Sequence, residues 1–177
     1  MKTPPLGFTL VELLISLTIL ALMIGAGLPG LQGFVANNKA DNQYRQLFTL
    51  LQFARSQSVH YREPVVVCPS LNEQDCINNW QYELLVFVDK NNNKIFDEDD
   101  LLLKKVDKTE KKSARIVNAF PTSRHLSFNY NGRSGNQNGR LTYCVNSKKL
   151  YANQIIIAKS GRIRKGDKKD ALTKCSA

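Results

Sequence analysis

Histidine is scarce in this chain, and its scarcity limits the available chemistry. His60 and His125 are the only two histidines among 177 residues, and no serine or cysteine lies in a recognisable nucleophile context. Nucleophilic catalysis needs a general base within hydrogen-bond reach of the attacking group. The acidic run 97–100 is better explained as a solvated turn than as a pair of catalytic carboxylates. The sequence therefore predicts a protein that is not an enzyme.

Cysteine spacings typical of metal or redox sites are also missing. The four cysteines, at positions 68, 76, 144 and 175, show no CxxC pattern. An even number of cysteines in a domain outside the cytoplasm is expected to form disulfides. Four cysteines permit three pairings, and proximity along the chain favours Cys68–Cys76 with Cys144–Cys175. We expect two structural disulfides, no metal and no other cofactor.

Acidic residues are too few to balance the basic ones. The chain has 25 lysines and arginines against 15 acidic residues, a net charge of +10. Such an excess favours nucleic acid, anionic lipid or an acidic protein surface as partner. Segment 159–174 holds seven basic and two acidic residues, which is half of the net charge. The run 104–115 is also basic, but it lies beside the acidic turn 97–100, which offsets it.

One long hydrophobic run is present, and it contains a single charge. Residues 8–28 are apolar apart from Glu12 and three hydroxyl side chains. About 20 apolar residues in a helix cross the ~30 Å hydrocarbon core of a bilayer, so the run predicts a single transmembrane helix. No A-x-A cleavage pattern follows the run, so the helix is expected to remain as an anchor. Glu12 either reaches the membrane interface or pairs with a cation at the same depth.

The rest of the chain changes from helical to β-type patterns. Pro29 predicts a kink, helical periodicity then continues to about residue 60, and Pro64 ends it. Seven short β-type runs follow, separated by Asn, Gly, Pro and Ser. They are 65–68, 80–88, 101–106, 114–120, 125–130, 140–145 and 154–159. The short connections favour antiparallel pairing. We expect an α+β fold in which a long N-terminal helix packs on one or two antiparallel sheets.

Three segments carry a family resemblance. MKTPPLG followed by FTLVE resembles the class III signal of type IV prepilins. ARSQSVHYREPVVVCPS at 54–70 and LVFVDKNNNKIFDEDDLLLKKV at 85–106 resemble segments of the FimT and GspH minor pilins. The resemblance implies a pilin fold, with cleavage between Gly7 and Phe8 by a prepilin peptidase and N-methylation of Phe8. It also implies that Glu12 pairs with the Phe8 amine of a neighbouring subunit during filament assembly.

The same resemblance implies a domain organisation and a location. Residues 1–7 form the leader, 8–29 the transmembrane and filament-core helix, 30–63 an amphipathic helix, and 64–177 an antiparallel β domain with a basic tail. The protein is expected in the inner membrane as a single-pass protein with a periplasmic C-terminal domain. Assembly with other pilins then places it in an extracellular type IV pilus.

The basic tail predicts a DNA-binding site. SGRIR at 160–164 resembles the GRxR motif of DNA-binding FimT pilins, which implies roles for Gly161, Arg162 and Arg164 in DNA uptake during natural transformation. In an extended segment residues two apart share a face, and guanidinium groups match phosphate bidentately. The predicted contacts are Lys159, Arg162, Arg164, Lys165, Lys168 and Lys169, with Arg140, Lys148 and Lys149 expected to join if Cys144 holds the tail as a loop near the sheet.

The tail offers no aromatic platform for bases, because no aromatic residue follows Tyr151. We therefore expect phosphate contacts without sequence preference that weaken with salt. The alternative is a structural minor pilin or pseudopilin that primes assembly of a pilus or of a type II secretion pseudopilus, with the tail contacting neighbouring subunits. The anchor is common to both functions and does not separate them.

A polar loop imitates a calcium site. Asp89, Asn91, Asn93, Asp97 and Asp100 fall at positions 1, 3, 5, 9 and 12 of an EF-hand loop. However, Lys94 replaces the glycine that the loop requires, and Asp100 is shorter than the usual glutamate. The other interpretation is a polar hairpin whose Asn and Asp side chains satisfy turn backbone groups. The sequence favours the hairpin.

Overall fold

The computed structural model describes residues 7, 9–109, 113–118, 124–135, 137–146 and 150–175. The chain divides into two compact units, Met1–Val35 and Ala36–Ala177. The first helix, α1, covers Leu10–Tyr61 and contributes to both units. The second unit contains the remaining elements and the hydrophobic core.

A capping box begins α1. The backbone N–H of Thr9 donates to Glu12 Oε2 over 3.2 Å, and the N–H of Glu12 donates to Thr9 Oγ1 over 3.3 Å. This reciprocal pair satisfies donors that the helix itself leaves unpaired at its start. The helix assignment continues through Pro29 and ends at Tyr61, after which Arg62 has a φ of 57°. Left-handed backbone at this position is a common way for a helix to stop.

The first unit exposes its apolar side chains. Large apolar residues between Leu10 and Ile24 are each more than half exposed, and Leu22 is 75 % exposed. Among the described residues, no helix combines the length and the apolar composition that crossing a membrane requires.

Two four-stranded sheets make up most of the second unit. The first has the order β3-β2-β1-β5 and the second the order β4-β6-β7-β8, and every pair is antiparallel. The strands are β1 Val65–Ser70, β2 Glu83–Val88, β3 Leu101–Val106, β4 Ser113–Asn118, β5 Leu126–Phe128, β6 Gly139–Asn146, β7 Leu150–Ile157 and β8 Ile163–Lys165. Each of the seven predicted runs overlaps one of these strands. The predicted α+β class with antiparallel sheets is confirmed.

The core lies where both sheets meet α1. Buried positions on the helix recur with helical spacing, as at Leu47, Leu50, Leu51 and Ala54. They pack with the inward side chains of both sheets, among them Val67, Val86, Phe128, Leu141, Tyr143, Ile155 and Ile163. The disulfides Cys68–Cys76 and Cys144–Cys175 are present, which is the pairing that the sequence favoured.

The tail is held near the sheet by its disulfide, as expected, but part of it is helical rather than a loop. Residues Lys168–Cys175 form a second helix, α2, which packs on β6 and β7. Asp167 caps it, because its Oδ1 accepts a 2.7 Å hydrogen bond from the N–H of Lys169. Ala171 is fully buried, and Cys175 joins the helix end to Cys144. One small buried residue and a disulfide therefore fix a segment in which half of the residues are charged.

Candidate nucleic-acid interface

The turn between β7 and β8 carries the GRxR motif. The N–H of Gly161 donates to the carbonyl of Ala158 over 2.8 Å, and the N–H of Ala158 donates to the carbonyl of Arg162 over 3.0 Å. Gly161 has a φ of +78°, in the left-handed region that favours glycine. A Cβ there would overlap the carbonyl oxygen of Gly132 and lie 3.0 Å from its carbon. Both the backbone conformation and the space therefore require glycine.

Helix α1 contacts the loop that packs against this turn. Arg55 Nε donates a 2.9 Å hydrogen bond to the carbonyl of Gly132, the same group that meets Gly161. Gly132 lies in the loop after β5 and has a φ of +72°. Arg55, Gly132 and Gly161 thus bring three distant parts of the chain together next to Arg162. Arg55 lies in the segment 54–70, and no local pattern in the sequence indicates its contact with the loop beside the turn.

Arg162 and Arg164 are exposed on either side of Ile163, which is 7 % exposed. This alternation is the arrangement expected of an extended segment, with Ile163 in the core and both arginines facing outwards. No described residue makes a side-chain hydrogen bond or ion pair with either guanidinium group. Both groups are therefore available to a ligand.

The register of the second sheet adds Arg140 to the face of Arg164. Arg164 is opposite Ile156, and Ile156 is opposite Arg140. Neighbouring strands are about 4.8 Å apart, so the two arginine backbones lie roughly 10 Å apart in one row. Arg140, however, makes an ion pair with Asp170 of α2, which offsets part of its charge.

The other predicted lysines lie in different surroundings. Lys159, in the turn, and Lys168 and Lys169, in the first turn of α2, are exposed. Lys165 is also exposed, but it lies opposite Ile155, on the same side of the sheet as Ile163, and its Nζ lies 5.0 Å from the centre of the Tyr44 ring. Lys165 therefore faces away from Arg164. Lys148 and Lys149 fall outside the described residues.

The polar loop after β2 is closed by its own side chains. Asp89 is fully buried and accepts hydrogen bonds from the N–H of Asn93 at 3.0 Å and from Lys94 Nζ at 2.9 Å. Hydrogen bonds from Asn91 and then from Asn93 lower the pKa of Asp97. The lysine ammonium thus pairs with the first carboxylate of the calcium-like spacing. Within the described ranges, no group of three or more His, Cys, Asp or Glu residues is arranged to hold a metal ion.

Comparison with known proteins places the chain in a family. The family model "Type II transport protein GspH" matches residues 43–161, more than half of the chain. The chain belongs to the GspH family. A second model, "Prokaryotic N-terminal methylation motif", matches residues 6–28. No curated protein sequence matches significantly.

The solved structures that resemble this GspH-family chain are minor pilins. One crystal structure of the type IV minor pilin FimU of Pseudomonas aeruginosa has a TM-score of 0.51 at 17 % identity, covering 77 % of this chain and 94 % of that chain. A second FimU crystal form has a TM-score of 0.47 at 18 % identity, covering 71 % and 90 %. The first comparison confirms the predicted pilin fold, in which a long helix precedes antiparallel sheets.

These matches define the protein at the level of its family. It is a minor pilin or pseudopilin, and the methylation motif implies processing by a prepilin peptidase and assembly with other pilins.

Proposed function

We propose that this protein is a minor type IV pilin that binds extracellular DNA without sequence preference and promotes its uptake in natural transformation. The observation that supports this function most directly is the pair of exposed guanidinium groups, Arg162 and Arg164. They lie two residues apart, Arg162 in the turn that Gly161, Gly132 and Arg55 fix and Arg164 in strand β8, which follows it. A fixed backbone lowers the entropy lost when long side chains are ordered on a ligand.

The chemistry of the patch suits the DNA backbone. Arginine presents planar donors that match two phosphate oxygens at once. Exposed Lys159, Lys168 and Lys169 add charge around the pair, at the turn and at the start of α2. Sequence-independent binding of this kind comes from phosphate neutralisation with release of counterions, so it falls steeply as salt increases.

We propose that the N-terminal segment delivers this domain to the pilus. Cleavage after Gly7 and methylation of Phe8 would create the mature N-terminus, and the match to the methylation motif supports that processing. Residues 8–29 would hold the protein in the inner membrane, with the domain from residue 64 onwards in the periplasm, until assembly into the extracellular filament. The exposed apolar surface between Leu10 and Ile24 supports burial of this helix in lipid or against other subunits.

Glu12 has a defined place in this proposal. Its carboxylate already accepts hydrogen bonds from the N–H and the hydroxyl of Thr9, so it lies directly beside the future N-terminus. A carboxylate has more acceptor sites than Thr9 fills. We propose that the Phe8 amine of a neighbouring subunit uses the remaining sites during assembly. Phe8 itself lies outside the described residues.

A mobility-shift experiment with the compact unit Ala36–Ala177 tests DNA binding. We expect the Arg162→Gln, Arg164→Gln double variant to bind duplex DNA at least about tenfold more weakly, because a hydrogen bond to a charged group contributes roughly 1.5–3 kcal/mol. Lys105→Gln with Lys108→Gln removes the same charge from the run 104–115 and should have a small effect. Unchanged binding by the arginine variant would exclude this site.

A structural role without DNA binding is the second candidate. The GspH family match and the FimU-like fold support a subunit that primes assembly of a pilus or pseudopilus, with the basic face contacting other subunits. The same mobility-shift experiment separates the two functions. A wild-type domain that does not retain DNA even at low salt would favour the structural role.

A further inference from the structure

A basic cavity lies at the opposite edge of the second sheet from the GRxR turn. Its volume is 740 Å³, and it is enclosed by α1, the end of β3 and the start of β4. Its lining includes Arg45, Leu50, Lys104, Lys108, Arg115 and Tyr143. We refer to it as the edge cavity, because β3 is an outer strand of the first sheet and β4 is an outer strand of the second.

Arg115 lies in this cavity, is 4 % exposed and joins the two sheets. One terminal nitrogen donates to the carbonyl of Asp107 over 2.6 Å, and the other donates to the carbonyl of Tyr82 over 3.4 Å. Burial lowers the pKa of Arg115, but arginine remains protonated in proteins. A buried positive charge is therefore held between the sheets without an acidic side chain bonded to it in the described part of the chain.

Three buried polar atoms in this region have no hydrogen-bond partner among the described residues. Arg115 Nε is buried and has no hydrogen-bond partner among the described residues, and the same holds for Thr109 Oγ1 and Ser113 Oγ. Thr109 also lines the cavity, and Ser113 lies on the same face of β4 as Arg115, two residues away. Buried polar groups without hydrogen-bond partners destabilise the folded protein. A ligand that satisfied them would bind favourably.

The missing partner has the chemistry of an oxyanion. Arg45, Lys104 and Lys108 add positive charge to the lining, and Lys105 is already paired with Glu73. Asp107 is the one acidic residue among the lining residues described. A carboxylate accepts from a guanidinium Nε–H and from hydroxyl groups at the same time. The donors and the charge of the edge cavity fit such a group.

The surroundings of the cavity favour a polypeptide as its source. Outer strands present unpaired backbone groups that an extended peptide can join. Leu50 and Tyr143 add apolar surface to the cavity wall. Because Arg115 is only 4 % exposed, the phosphates on the wide surface of a DNA duplex cannot approach it, and a narrow group such as a single side chain fits better.

We propose that the edge cavity binds the carboxylate of an acidic side chain on an extended segment of a neighbouring protein subunit. Arg115 Nε and Thr109 Oγ1 hold the carboxylate, and the outer strands align the segment. This site is independent of DNA binding at the GRxR turn, because it uses different residues at the other edge of the sheet. It gives the subunit a specific contact within an assembly.

The test uses the full chain in detergent and a fluorescein-labelled peptide, Thr-Val-Thr-Glu-Thr-Val-Thr, with both ends blocked. We expect the Glu peptide to bind at least tenfold more tightly than the same peptide with Gln, as measured by fluorescence anisotropy. Arg115→Met should abolish this preference. Thr109→Val, which keeps the side-chain volume, should reduce it severalfold without a large change in melting temperature. Arg162→Gln with Arg164→Gln should leave it unchanged.

Several results would overturn the proposal. Equal binding of the Glu and Gln peptides would exclude a carboxylate site. Arg115 also joins the sheets, so Arg115→Met could fail to fold, and Thr109→Val then provides the decisive test. An unchanged preference for the Glu peptide in a stable Thr109→Val protein would contradict the proposed site. Oligothymidylate is also added as a competitor. If it displaces the peptide from the wild-type protein but has no such effect in Arg115→Met, the cavity binds nucleic acid instead.

Discussion

Replacing Gly161 with alanine tests whether the turn positions the arginines. Alanine at a φ of +78° costs about 1–2 kcal/mol, since left-handed backbone brings Cβ too close to the carbonyl oxygen. The new Cβ would also overlap the carbonyl oxygen of Gly132 and lie 3.1 Å from Arg55 Nε. Backbone shifts of this kind cost about 1–3 kcal/mol. We expect a total loss of roughly 2–5 kcal/mol.

Gly135→Ala is the matched control. Gly135 also has a positive φ, of +59°, but a Cβ there would meet nothing within 4 Å. The free energy of unfolding of Gly135→Ala should fall only by the cost of the left-handed backbone conformation, about 1–2 kcal/mol. At about 2–4 °C per kcal/mol, thermal unfolding should show a melting temperature roughly 4–20 °C lower for Gly161→Ala and roughly 2–8 °C lower for Gly135→Ala.

DNA binding completes this test, because neither substitution changes the charge. If the turn positions Arg162 and Arg164, Gly161→Ala should weaken DNA binding severalfold at a temperature where the domain is folded, and Gly135→Ala should not. Equal melting temperatures for the two variants would refute the close packing of Gly161 on Gly132. A destabilised Gly161→Ala domain with wild-type affinity would refute the positioning role.

Three further predictions concern other parts of the second unit. In chemical denaturation, Cys175→Ser should lower the free energy of unfolding by about 3–4 kcal/mol and Cys76→Ser by about 2–3 kcal/mol. The first loss is larger because the Cys144–Cys175 disulfide closes the longer loop and so restricts the unfolded chain more. Equal losses would contradict this entropic explanation. Asp170→Asn should raise DNA affinity severalfold in a titration by releasing Arg140 from its ion pair, and a lower affinity would argue against Arg140 as a contact. Burial lowers the pKa of His125 from its ordinary value of 6.5, so protonation favours the unfolded state; stability should fall below about pH 6.5, and His125→Gln should flatten this dependence.

The strands could be predicted because the sequence patterns that indicate them lie within short segments of the chain. Apolar β-type residues between clusters of Asn, Gly, Pro and Ser define β1 to β7 without knowledge of the rest of the chain. The last strand and α2 were missed for a physical reason. Strand β8 has three residues, and half of the residues of α2 are charged, so neither has a periodic apolar pattern. Tertiary contacts, through Ile163 and Ala171, stabilise both.

The site was predictable in its residue types but not in its arrangement. Spacing indicated that Arg162 and Arg164 share a side, and the exposure of both agrees with it. The support from Arg55 and Gly132 depends on contacts between distant parts of the chain. The orientation of Lys165 towards α1 follows from the register of β8, which the sequence did not predict.

The salt dependence of DNA affinity tests the central claim most directly. Each phosphate neutralised on duplex DNA contributes about 0.9 to the slope of log affinity against log salt concentration. We predict that Arg162→Gln with Arg164→Gln lowers this slope by about 2 for DNA of any sequence, whereas Lys105→Gln with Lys108→Gln leaves it nearly unchanged. An arginine variant with the affinity and slope of the wild-type domain would contradict the proposal that this face binds DNA.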